Sequence, residues 1–146
     1  MMDPIRVLIA DDHQVVREGL HMILSDVEDI VVVGQASDGA EAVRLASKLK
    51  PDVAVFDLRM PHRNGVEAAR EMSAAGLETR VLILTSFDDE KEVREAVRAG
   101  VTGYLMKDVM KDELLKAIRN ANAGQPTLHP KARRHLMKEI ATPPQP

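Results

Sequence analysis

Cysteine is absent from the 146 residues, which excludes disulfides and cysteine-ligated zinc. No apolar run approaches the ~20 residues that a membrane span requires. The N-terminal stretch MMDPIRVLIADD has neither a basic start nor a long apolar region, so no secretory signal is expected and the cytoplasm is the expected location. An excess of positive charge is lacking too. The net charge is −3, so no overall basic field draws the chain to nucleic acid or lipid. The histidines, His13, His21, His62, His129 and His135, show no metal-ligand spacing and read as mostly surface residues. What remains is 45% apolar and 29% charged, ordinary for a globular chain whose length suits one domain with a real core.

Short apolar runs alternate with helix-period segments. IRVLIA (5–10), IVVVGQA (30–36), VAVF (53–56), VLILT (81–85) and GYLM (103–106) read as strands rich in Val and Ile. Between them, apolar residues recur at spacings of three and four: Val16, Leu20, Ile23 and Leu24; Ala42, Ala46 and Leu49; Met110, Leu114, Ala117, Ile118 and Ala121. Asp38 with Glu41, Asn64 with Glu67, and Asp89 with Glu92 each fit a capping box. Gly100 fits the position just past a helix end. Strand–helix alternation five times over implies a parallel sheet with helices on both faces. Burial on two sides explains why the strands are continuous apolar runs. After residue 124 the pattern changes. Pro130 suits a first helical position, and Ala132, Leu136 and Ile140 share a face. ATPPQP at the end reads as a stiff linker.

In open α/β sheets, ligands bind beyond the carboxyl ends of the strands. The first strand delivers Asp11 and Asp12 there, the third Asp57, the fourth Thr85 and Ser86, and the fifth Lys107. Taken singly, Asp12 reads as a helix cap, Thr85 as a strand residue and Lys107 as a solvated charge. Asp57 is harder to dismiss, because the next helix starts too far on to be capped by it. If the first, third, fourth and fifth strands are neighbours, three carboxylates, two hydroxyls and one ammonium meet at one rim. Crowded carboxylates take up protons unless a cation intervenes. Few hard oxygen ligands, with room for water, suit Mg²⁺ better than zinc. An Asp beside such a cation can attack a phosphoryl group.

At these residues the sequence resembles the receiver domains of bacterial two-component response regulators. VLIADDH, DVAVFDLRMP, VLILTSF and AGVTGYLMKD stand in order and at family spacing over roughly residues 4–123. GVTGYLMKD followed by GQPTLHPKA resembles the NarL/LuxR-type subfamily, whose members carry a C-terminal helix-turn-helix domain. The resemblance implies a flavodoxin-like doubly wound sheet of five parallel strands, order 2-1-3-4-5, with five helices plus a C-terminal linker helix. Residues 1–124 would form the receiver, and 125–146 a linker helix and proline-rich tail leading to a DNA-binding domain that the sequence does not contain. Asp57 would accept a phosphoryl group from a sensor histidine kinase. Mg²⁺, with Mn²⁺ as a substitute, would be held by Asp12 and Asp57, by the Arg59 backbone carbonyl, and by Asp11 largely through water. Thr85 and Lys107 would contact phosphoryl oxygens. Ser86 fills a position where the family needs a small residue, and Tyr104 fits the switch aromatic that turns inward when Thr85 moves. His62 and Arg63 depart from the family's glycine and apolar residue, and Asn64 stands where Asp is common.

The implied protein is a signalling switch rather than an enzyme. Phosphorylation would reshape the surface of the fourth helix, fifth strand and fifth helix, lined by Glu92, Arg94, Glu95, Arg98, Lys111, Asp112 and Glu113, and favour a homodimer. The subfamily also dimerises through the first and fifth helices. DNA would be met only through the missing domain, and no membrane is expected. Two alternatives use related features: a haloacid-dehalogenase-type phosphotransferase and a flavodoxin-like cofactor carrier. The first wants two aspartates two apart after the first strand, where this chain has Asp11-Asp12-His13. The second wants a Gly/Ser/Thr loop there to cradle phosphate, which two carboxylates would repel.

Overall fold

The computed structural model describes residues 3–87 and 89–141. The elements run β1 (Ile5–Ala10), α1 (Gln14–Ser25), β2 (Ile30–Ala36), α2 (Gly39–Leu49), β3 (Val53–Phe56), α3 (Gly65–Ala74), β4 (Arg80–Thr85), α4 (Glu90–Arg98), β5 (Gly103–Met106), α5 (Lys111–Asn122), β6 (Thr127–Leu128) and α6 (Pro130–Ala141). All strand pairs are parallel, in the order β2-β1-β3-β4-β5-β6. The expected doubly wound order 2-1-3-4-5 is present, with one correction: the sheet has six strands, not five. Thr127 and Leu128 add to β5 opposite Gly103 and Tyr104, and two residues are too few to show a period of two in a sequence.

Successive strand residues go to opposite faces. Leu8, Ala54, Phe56, Ile83 and Tyr104 pack with α2, α3 and α4, whereas Val7, Ile9, Val55, Leu82 and Leu105 pack with α1 and α5. Each fully buried large side chain contributes roughly 1.5–3 kcal/mol, which fixes both the register and the direction in which the strands end. Helix α6 begins at Pro130 as expected, and Ala132 is fully buried in the cluster that includes α4. The side chains of Leu136 and Ile140 and the residues from 142 onward lie outside the described residues.

Helix ends hold the loops in place. Asn64 forms the complete capping box with Glu67. Asp38 and Asp89 accept from the backbone N–H groups of Glu41 and Glu92, but their boxes stay half-made. Glu41 turns to the Ser37 N–H, and Glu92 turns to Arg59. At the other end of α4, Gly100 adopts φ +85°. The N–H groups of Gly100 and Val101 return to the carbonyls of Val97 and Ala96, the Schellman arrangement that a glycine makes possible.

Candidate functional site

The parallel ladders run one residue past three strands. The Asp11 N–H donates to the Ala36 carbonyl at 3.1 Å, that of Asp57 to Ala10 at 2.9 Å, and that of Lys107 to Thr85 at 2.8 Å. These bonds hold the backbones of Asp11, Asp57 and Lys107 rigidly where the strands give way to loops. Their side chains meet. Lys107 Nζ lies 2.8 Å from Asp11 Oδ2 and 3.1 Å from Asp57 Oδ2. Asp11 and Asp57 are only 2% and 5% exposed. Asp57 Oδ1 is buried with no hydrogen-bond partner.

Asp12 stands at the exposed edge of the same cluster. Ligand atoms of Asp11, Asp12, His13 and Asp57 all fall within 4.8 Å of one another. From the sequence, His13 reads as one of the surface histidines. Its ring is 66% exposed, yet Nδ1 lies 3.0 Å from Asp11 Oδ1 and 3.1 Å from Asp12 Oδ1. The signal open to sequence reading was its place directly after the acidic pair.

Burial is the strongest influence on Asp57 and pushes its carboxyl above the ordinary carboxylate value. The Asp11 charge adds to this, and the Lys107 ammonium opposes it without reversing it. Asp11 also resists ionisation through burial, but Lys107 and the hydrogen bonds from the His13 N–H and ring outweigh that, and its carboxyl falls below the ordinary value. Burial pulls the Lys107 ammonium down, and its two carboxylate partners overcome this and raise it. Two carboxylates thus share one cation, and their negative charge exceeds what Lys107 neutralises. An orphaned buried carboxylate oxygen beside this surplus charge fits a hard divalent cation with oxygen ligands.

Thr85 is fully buried at the end of β4, and its Oγ1 accepts from the Phe87 N–H at 3.3 Å. Ser86 is exposed. Tyr104 is also fully buried, and its hydroxyl donates to the Phe87 carbonyl. The aromatic side chain is therefore already turned inward. Arg59 lies over the Phe87 ring, 3.4 Å from its centroid, and pairs with Glu92 at 2.7 Å. Sequence reading assigned Arg59 a role through its carbonyl and missed this side-chain bridge between the β3–α3 and β4–α4 loops.

The departures from the family pattern have structural consequences. His62 occupies the left-handed region at φ +69°, where an L-residue pays roughly 1–2 kcal/mol and glycine pays nothing. The neighbouring Arg63 carbonyl would lie 2.0 Å from a Cβ on Gly39, so only glycine at the start of α2 admits this loop. Arg63 itself pairs with Glu71 at 2.6 Å.

Comparison with known proteins places these residues in a family. The response regulator receiver domain family matches residues 7–119. The chain is 45% identical over 123 residues to the transcriptional regulatory protein YxjL of Bacillus subtilis (strain 168), covering 84% of this chain and 56% of that protein. It is 37% identical over 126 residues to the nitrate/nitrite response regulator protein NarL of Escherichia coli (strain K12), covering 86% of this chain and 58% of that one. The solved structure of a LuxR-family two-component response regulator from Aurantimonas sp. SI85-9A1 superposes with a TM-score of 0.87 at 31% identity, covering 96% of this chain and all of that one. The chain thus spans just over half the length of these two curated relatives. Neither the haloacid-dehalogenase nor the cofactor-carrier alternative finds support among these similarities.

Proposed function

Because this chain belongs to the response regulator receiver family, in its NarL/LuxR type, we propose that Asp57 is its phosphoacceptor, loaded by a sensor histidine kinase. In the transfer, the P–N bond of the kinase phosphohistidine breaks and a P–O bond forms to the Asp57 carboxylate. The observation that carries this reading is the state of that carboxylate. It is buried at the rim of the sheet, one oxygen is held by Lys107, and the other has no hydrogen-bond partner.

Asp12 and Asp57 would hold Mg²⁺ or Mn²⁺ by side chain, Arg59 by its backbone carbonyl, and Asp11 largely through water. When bound, the ion supplies charge neutralisation for the carboxylates and the incoming phosphoryl oxygens. Lys107 already bridges Asp11 and Asp57 and needs only a small displacement to reach a phosphoryl oxygen. Thr85 takes another through Oγ1, giving up its long bond from the Phe87 N–H. Ser86, small and exposed, leaves the approach to Asp57 open.

The readout is the segment that Thr85 and Tyr104 hold between them. Phosphorylation would add about two negative charges and three acceptor oxygens, re-aim Thr85, and shift the Phe87 peptide on which the Tyr104 hydroxyl rests. The phosphorylated chain would associate as a homodimer. We favour α1 and α5 as the face, because Val15 and Met22 on α1 are 80% and 74% exposed and share one stripe. In the whole protein, a helix-turn-helix domain following the linker would meet DNA.

Acetyl phosphate with Mg²⁺ should add one phosphoryl group to the chain by intact mass. Asp57→Asn should gain none. Labelling that survives this substitution would refute the assignment.

A further inference from the structure

The donor set of the acidic rim contains a group that the reading above does not use. Asp11 Oδ1 and Asp12 Oδ1 lie 3.0 and 3.1 Å from His13 Nδ1. In octahedral coordination with bonds near 2.1 Å, neighbouring ligand atoms stand about 3 Å apart. His13 Nδ1 therefore stands from each of the two carboxylate oxygens at the spacing of adjacent vertices around one ion. Ionised carboxylates only accept hydrogen bonds, so Nδ1 bridges them here by donating a proton. In the tautomer that carries its hydrogen on Nε2, the same Nδ1 presents a lone pair, the form in which an imidazole ligates a divalent ion. Asp57 belongs to the same cluster, and its Oδ1 is a buried oxygen without a hydrogen-bond partner. Lys107 is engaged on the Oδ2 atoms of Asp11 and Asp57.

Resting on the metal-binding reading above, we propose that His13 Nδ1 is a further ligand of this site, so that the site binds imidazole-accepting divalent ions such as Mn²⁺, Co²⁺ and Zn²⁺ more tightly than its oxygens alone would. An imidazole discriminates among cations. Mg²⁺ prefers oxygen and gains little from nitrogen, whereas the later first-row ions gain much. The ring is free to move onto an ion, since it is mostly exposed and makes no capping bond to α1.

Two readouts on the intact chain test this. Pulsed electron paramagnetic resonance of bound Mn²⁺ should show nitrogen coupling that vanishes in His13→Ala. Calorimetric titration should show Co²⁺ affinity falling about 10- to 100-fold in that variant, the range that losing a supporting group costs a metal site, with Mg²⁺ affinity held within about twofold. His13→Asn, a better helix cap than His, guards against a folding artefact and should also lose the nitrogen coupling. His21→Ala, an exposed histidine on the same helix, should change nothing. Mn²⁺ that binds without histidine-dependent coupling, or a His13→Ala variant that weakens Co²⁺ and Mg²⁺ equally, overturns the role of His13 and leaves the carboxylate site standing. Wild type that binds no divalent ion overturns both.

Discussion

Asp57 is held in a state that its own burial opposes. Raised in the folded chain, its carboxyl binds a proton more tightly there than in the unfolded chain. Stability is therefore lost as pH climbs above the ordinary value of 3.8 and through the Asp57 titration. Asp11 has the opposite sign: its lowered carboxyl contributes stability above 3.8 that disappears as pH falls through its folded value. Lys107, raised above its ordinary 10.5, contributes stability below that pH which is lost as pH rises through its folded value. At neutral pH, then, Asp57 alone of the three costs stability, as expected of a group kept for reaction rather than for packing. Asp57→Asn should melt a few degrees above wild type at pH 7, and the gap should close on acidification towards 3.8. Added Mg²⁺ should raise the melting temperature of wild type by offsetting the same repulsion, and Asp12→Ala should remove that rise. Thermal melts across pH, with and without Mg²⁺, check both; an Asn variant less stable than wild type at neutral pH would show that the Lys107 contact outweighs burial.

Between strand and helix, the β4–α4 loop hangs on one residue. The Phe87 N–H is held by Thr85, its carbonyl by Tyr104, and its ring by Arg59. Arg59 in turn reaches Glu92 on α4, so the loop after β3 is strapped to the loop that would carry the response. A cation over an exposed ring is worth about 0.5–1 kcal/mol. Arg59→Ala should accordingly speed amide hydrogen exchange in the β4–α4 loop severalfold while leaving β3 and β4 unchanged; unaltered exchange there would mean the strap carries no load. This element was not legible beforehand. Strand ends were, because continuous Val/Ile runs announce parallel strands and the residue after each run must fall at the ligand-binding rim. Side-chain contacts between loops depend on turn conformations that no periodicity reports, so Glu92 read as a capping residue and Arg59 as a backbone ligand. The cost of His62 at φ +69° was hidden for the same reason, although its place at a family glycine hinted at it. β6 escaped notice because its two residues acquire strand geometry only from β5.

Across the whole molecule, the helices are not equally free to meet a partner. Helix α4 already packs with α6 through the cluster that buries Ala132, and Glu92 is committed to Arg59. On the other side, Lys111 pairs with Asp26 and Arg119 with Asp29, the latter through two hydrogen bonds. These contacts tie α5 to the segment following α1, so that α1 and α5 form one plate. Val15 and Met22 stand out from it, seven residues apart on the same side of α1. Apolar side chains so exposed gain most from association, and a two-fold contact would bury each of them twice. If this plate is the dimer face, Met22→Glu, present in both protomers, should weaken association of the phosphorylated chain roughly a hundredfold, the consequence of losing two apolar anchors worth about 1.4 kcal/mol each. Glu95→Lys on α4 should leave it unchanged. Sedimentation velocity on acetyl phosphate-treated protein distinguishes the two faces: association that survives Met22→Glu and fails with Glu95→Lys would move the interface to α4, β5 and α5, and would require α6 to give way before two chains could meet there.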